Sequence, residues 1–112
     1  MKRGEIWWAS MEEPRGSEPG YRRPVIIISS NDFNRSLIQT VIVAVVTSNL
    51  SLEYVPGNFK LSKKHSNLPK DSVANASQLM TLDKHFLTEK VGSLNAQQLN
   101  LLNEGLKLSL NL

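Results

Sequence analysis

The stretch GYRRPVIIIS, residues 20–29, sets two adjacent arginines, Arg22 and Arg23, directly before an apolar run. Pro24 fixes its own φ and pushes Arg23 into an extended conformation, so the strand and its last charged side chain are oriented as one unit. The run PVIIIS has no polar alternation, which predicts a strand buried on both faces. A second run of the same kind, QTVIVAVVTS (39–48), is strongly β-branched and turns abruptly polar at Thr47, Ser48 and Asn49. Both runs read as buried strands, and a rigid guanidinium stands at the mouth of the first.

Upstream, RGEIWWASM (3–11) alternates as a first strand, with Ile6 and Trp8 on one face and Glu5 and Trp7 on the other. One tryptophan then belongs to the core, and the other to a subunit interface or a second small core. Residues 12–22 carry Pro14, Gly16, Pro19 and Gly20, so they read as a long mobile loop, a kind that is often functional. Downstream, NDFNRSL (31–37) reads as a turn or short helix and residues 53–64 as an edge-like strand. KKHSNLPKDS reads as loop, and SVANASQLMTLD as a strand from Ser72 into a turn near Thr81. The clearest local signal is LNAQQL (94–99). Asn95 is an N-cap, Gln98 its capping-box partner, and Leu94 with Leu99 a hydrophobic staple. Leu99, Leu102, Leu106 and Leu110 then recur at helical spacing.

A chain of 112 residues suits a single domain spanning 1–112, able to bury roughly 65% of the surface its unfolded form exposes. It has no apolar stretch near the roughly 20 residues that span a bilayer, and no signal-peptide pattern, so a cytoplasmic protein is expected. The absence of cysteine removes disulfides, thiol nucleophiles and thiolate metal sites. Net charge is +3, but the distribution says more: all five arginines lie in the first third, while the lysines gather mainly between Lys60 and Lys90.

Neither histidine, His65 nor His85, stands at a metal-ligand spacing, and there is no G-x-S-x-G elbow, Walker loop or GxGxxG. No metal and no cofactor are therefore expected. What remains is the arginine pair beside a Gly/Pro loop, and a threonine ending a buried strand. Phosphoryl transfer needs chiefly positioning and charge stabilisation, which a rigid arginine and a hydroxyl donor can supply. RNA brings its own nucleophile: its 2′-hydroxyl can attack the adjacent phosphate if the protein orients it, neutralises the phosphorane and protonates the leaving 5′-oxygen.

KRGEIWWA, RGSEPGYRRPVIIIS, TVIVAVVTSN and DSVANASQLMTLDK resemble, in order and spacing, the MazF/PemK-type toxins of bacterial toxin–antitoxin systems. G-S-E-x-G followed by R-P-hydrophobic is the most specific part, and Q-L-x-T-x-D-K at Gln78 to Lys84 supports it independently. The resemblance implies a small SH3-like β-barrel with a C-terminal helix and short helical turns, a homodimer, and metal-independent, sequence-selective cleavage of single-stranded mRNA.

By position, the resemblance puts the catalytic arginine on Arg23 and the catalytic hydroxyl on Thr47. It puts Ser17 and Glu18 in a loop closing over RNA, and Gln78 at the matching rim of the barrel. Ser77 stands there where some relatives carry an acidic residue. Arg22 is read as phosphate positioning, with Lys63, Lys64 or Lys70 as further phosphate contacts. The implied partner is an antitoxin with an acidic, partly disordered tail that blocks the same basic face. Two other readings stay open. One is a non-enzymatic toxin of the same fold that poisons gyrase, though LKLSLNL at the C-terminus lacks the aromatic such a contact uses. The other is a silent RNA-binding module.

Overall fold

The computed structural model describes residues 1–12 and 21–112. Ser17 and Glu18 lie outside the described residues. Among those described, six strands form one antiparallel sheet: β1 (Glu5–Glu12), β2 (Tyr21–Ile27), β3 (Thr40–Thr47), β4 (Phe59–Leu61), β5 (Ser72–Asp83) and β6 (Leu87–Ser93). Their spatial order is β4-β5-β3-β2-β1-β6, and the sheet curls into an open half-barrel. Helices α1 (Asn31–Arg35), α2 (Lys63–Ser66) and α3 (Ala96–Leu110) complete it.

The two apolar runs form the centre as the sequence predicts, with Val25, Ile26, Ile27, Val43, Ala44 and Val46 fully buried. Side chains alternate across the sheet, so each face builds its own core. One cluster gathers Ile6, Ile26, Val46, Phe59, Leu61, Ala74, Leu102 and Leu106, with Trp8 packed against it. The other gathers Ala9, Val25, Ile27, Val41, Val43, Leu82 and Leu87, with Trp7 packed against it. The second small core is thus what receives the other tryptophan. Trp7 is further fixed by its indole N–H, which donates to Glu5 Oε1 at 3.0 Å. Burial would raise the Glu5 carboxyl, but the Lys2 N–H, the Trp7 indole and the Lys90 ammonium outweigh it and hold the group below its ordinary value.

Helix α3 starts where the capping signal places it. Asn95 Oδ1 accepts from the Gln98 N–H at 2.8 Å, and Gln98 Oε1 accepts from the Asn95 N–H at 2.9 Å. The stripe holds at Leu99, Leu102 and Leu106 but fails at Leu110, which is about half exposed. The edge strand expected over 53–64 shrinks to Phe59–Leu61. Leu50–Tyr54 instead winds into a 3-10 turn capped by Asn49, and Lys63–Ser66, read as loop, forms α2. The turn expected near Thr81 is absent because β5 stays paired with β3 as far as Asp83 opposite Thr40. Strand β6 carries no signal in the sequence, since LTEKVGS is an edge strand with mostly solvent-facing residues.

Two local devices fix β5. Between Val45↔Asn75 and Ala44↔Leu79 the register shifts, leaving Ala76, Ser77 and Gln78 as a bulge. Its backbone is tied down on both sides, the Ala76 N–H donating to Asn58 Oδ1 at 2.9 Å and the Ser109 hydroxyl of α3 donating to Ala76 O at 2.9 Å. At the strand's other end the Lys84 ammonium donates to Asn34 O at 3.0 Å, closing the last turn of α1.

Helix α3 approaches the sheet closely through Gly105, whose added Cβ would fall well inside contact distance of the Gly57 carbonyl oxygen and 3.0 Å from the Ala76 Cβ. Gly57 has φ +88°, in the left-handed region that favours glycine. Gly105→Ala is therefore expected to destabilise the protein, overpacking at about 1–3 kcal/mol outweighing a helix-propensity gain of roughly 1 kcal/mol. Thermal unfolding measures the sign: a raised Tm would show that α3 can move off the turn.

Candidate active site

Strands β2 and β3 pair antiparallel with Val25↔Val45 and Ile27↔Val43. Continued by two residues, the same register sets Arg23 level with Thr47 at the sheet's end. Both residues line one cleft of about 250 Å³, together with Trp8, Arg22, Pro24 and Ser48 near them in the sheet and Leu68, Pro69, Lys70 and Ser72 from further along the chain. The wall is mixed: tryptophan, leucine and proline offer flat or apolar surface, while two guanidiniums, an ammonium and three hydroxyls supply donors. Such a lining suits an anion bearing a planar group.

Thr47 is partly buried, and its Oγ1 accepts from the Asn49 N–H at 3.2 Å, which orients the hydroxyl and leaves its proton for a second partner. Arg23 is likewise partly buried, directly before Pro24 as the sequence requires. Arg22 is exposed and lies with its guanidinium carbon 4.4 Å from the Trp8 ring centroid. Its Nη2 reaches Glu89 Oε2 at 3.1 Å.

The cleft therefore brings together Arg22, Arg23, Thr47 and Lys70 of the residues singled out in the sequence. It does not bring Ser77 or Gln78, which sit in the β5 bulge. Ser77 donates to Asn75 Oδ1 at 2.7 Å and lines a separate apolar groove with Pro56, Leu79, Leu108 and Leu110. Lys63 and Lys64 lie on α2, outside the cleft lining. The sequence had no means of naming Glu89, because only the pairing of β6 with β1 sets it opposite Trp8. Trp8 and Pro69 were legible as residues but not as walls of one cavity.

The histidines stand apart from this cleft. His85 Nδ1 lies 2.6 Å from Asp83 Oδ1, at the end of β5 that pairs with Thr40, the opposite end of β3 from Thr47. The His85 backbone N–H and ring together hold the Asp83 carboxyl below its ordinary value. His65 Nδ1 contacts Ser62 Oγ at 3.1 Å. Among the described residues no group of three His, Cys, Asp or Glu is placed to hold a metal ion, and no helix is long and apolar enough to cross a membrane.

The fold matches solved toxin structures over nearly its whole length. Against the Mycobacterium tuberculosis toxin MazF-mt6 the TM-score is 0.79, with 20% identity and 96% of this chain and 97% of that one covered. Against a MazE-MazF structure from Deinococcus radiodurans it is 0.80, with 22% identity and 100% and 96% covered. The chain belongs to the family of PemK-like, MazF-like toxins of type II toxin–antitoxin systems, which matches residues 2–110. Among curated relatives, Endoribonuclease MazF6 of Mycobacterium tuberculosis (strain ATCC 25618 / H37Rv) is 43% identical over 112 residues, covering 100% of this chain and 98% of its own. Endoribonuclease MazF of Staphylococcus saprophyticus is 37% identical over 112 residues, covering 100% and 92%.

Proposed function

We propose that residues 1–112 act as a single toxin domain, a metal-independent endoribonuclease that cleaves single-stranded mRNA through the substrate's own 2′-hydroxyl. The observation that carries this reading is that Arg23 and Thr47 line one cleft at the ends of paired strands, in a chain whose full-length relatives are named endoribonucleases. Arg23 stabilises the charge that builds on the phosphorane and delivers a proton toward the leaving 5′-oxygen, while Thr47 donates a hydrogen bond to a non-bridging oxygen. A guanidinium stays protonated and has no lone pair free to accept a proton, so the 2′ proton goes to another group. Glu18, the carboxylate nearest in sequence, is the candidate for that role, with Ser17 as an accompanying RNA contact.

Arg22 and Lys70 hold flanking phosphates, and Ser77 and Gln78 contact RNA from the barrel rim. Because the latter pair lies outside the Arg23 cleft within one chain, a homodimer that joins two chains' surfaces suits an extended RNA. The antitoxin partner is a chain with an acidic tail that covers the same basic face, and the cytoplasm is the compartment where mRNA and antitoxin meet.

Incubation with a long transcript and mapping of the new ends tests the reading. The expected products carry 5′-hydroxyls and 2′,3′-cyclic phosphates, or the 3′-phosphates opened from them. Binding without products would leave an RNA-binding module, and 5′-phosphate products would exclude attack by the 2′-hydroxyl. EDTA is expected to leave the initial rate unchanged, and a rate restored only by added divalent metal would reverse that part.

A further inference from the structure

Strand β1 lies between β2 and β6, and its residues Trp8 and Ser10 share a face. Trp8 stands opposite Pro24 on β2 and Glu89 on β6, and Ser10 stands opposite Arg22. Cross-strand partners project to the same side, so Arg22, Trp8 and Glu89 rise together at the cleft's edge. The Arg22 guanidinium crosses the Trp8 ring at 4.4 Å and ends on Glu89 Oε2 at 3.1 Å. One of its flat faces is thereby taken by the indole, and its edge by a carboxylate.

A carboxylate at the rim of a cleft that takes a polyanion repels its ligand unless it has a task. Here its Oε2 gives Arg22 an anionic acceptor of the kind a phosphodiester oxygen would offer. The two side chains are 49% and 66% exposed, so the contact is weak enough to exchange. We infer that Glu89 is a positioning residue: it holds Arg22 over Trp8 as an internal stand-in for an RNA phosphate and releases it when RNA enters. The inference rests on the functional reading above. It makes each RNA contact at Arg22 an exchange of one anion for another, which lowers the net number of counterions released on binding.

The test compares wild type, Glu89→Gln, Arg22→Ala and the double variant. It uses cleavage of a long transcript, and binding of a mixed-sequence 2′-O-methylated single-stranded RNA across a salt series. Glu89→Gln is expected to lower KM about three- to fivefold, the range of an exposed ion pair. The change falls on KM and not on kcat. The slope of log K against log salt should steepen by about 0.7, the contribution of one phosphate on a single strand. In the Arg22→Ala background the Glu89 substitution should change neither KM nor slope.

An equal KM gain in both backgrounds would show Glu89 acting as a general repulsive charge and would overturn the exchange. So would an unchanged KM and slope in Glu89→Gln, or an effect confined to kcat. Wild-type protein that neither cleaves nor binds RNA would instead remove the functional reading, and this inference with it.

Discussion

Arg23→Ala is expected to lower the rate of RNA cleavage by about 10²-fold or more, the loss that follows removal of one group aimed at the developing charge. The phosphorane carries more charge on its equatorial oxygens than the ground-state phosphodiester, so a donor held against them acts chiefly on kcat. Pro24 and the paired end of β2 hold the Arg23 backbone whatever its side chain, because the buried residues begin at Val25. Tm should therefore stay close to that of the wild type. Arg23→Lys should recover little, since an ammonium cannot present two parallel N–H groups to two oxygens. Measurement of kcat and Tm on the same preparations separates chemistry from folding, and near-wild-type turnover in Arg23→Ala would remove this residue from the mechanism.

The largest effect lies in the substrate. A single 2′-deoxynucleotide on the 5′ side of the scissile phosphate removes the nucleophile, and cleavage at that bond should become undetectable while binding stays nearly constant. The phosphate contacts proposed for Arg22 and Lys70 would not involve the sugar hydroxyl, so affinity and reaction are expected to come apart. Ready cutting of the deoxy-substituted bond would mean that water attacks instead, and that a base able to activate it has to be found.

The parts of this molecule that sequence reveals are those set by local chemistry. Pro24 orients Arg23, the β-branched runs fill the centre of the sheet, and Asn95 with Gln98 starts α3, each from a few neighbouring residues. The parts it conceals depend on distant pairing. Strand β6 is mostly solvent-facing, so LTEKVGS has no alternation to detect, and with it went the placement of Glu89 beside Arg22. The 3-10 turn over Leu50–Tyr54 rests on the Asn49 side chain accepting from the Ser51 N–H, a contact that competes with an extended backbone. Part of the Gln78 to Lys84 element turns out to be structural, because Lys84 closes α1 and Leu79 packs against the core.

The bulge at Ala76, Ser77 and Gln78 carries a constraint on how relatives of this chain can vary. Before it, Ala74 points into the cluster that holds Val46; after it, Leu79 points into that same cluster and Leu82 into the opposite one. An odd insertion is what converts even-numbered inward positions to odd ones, so the parity of the strand changes at the bulge. Lengthening or shortening this segment by two residues keeps Leu82 on its own side, whereas a change of one turns it and the rest of β5 inside out. Indels in pairs, never singly, are the route by which this rim could acquire a different reach.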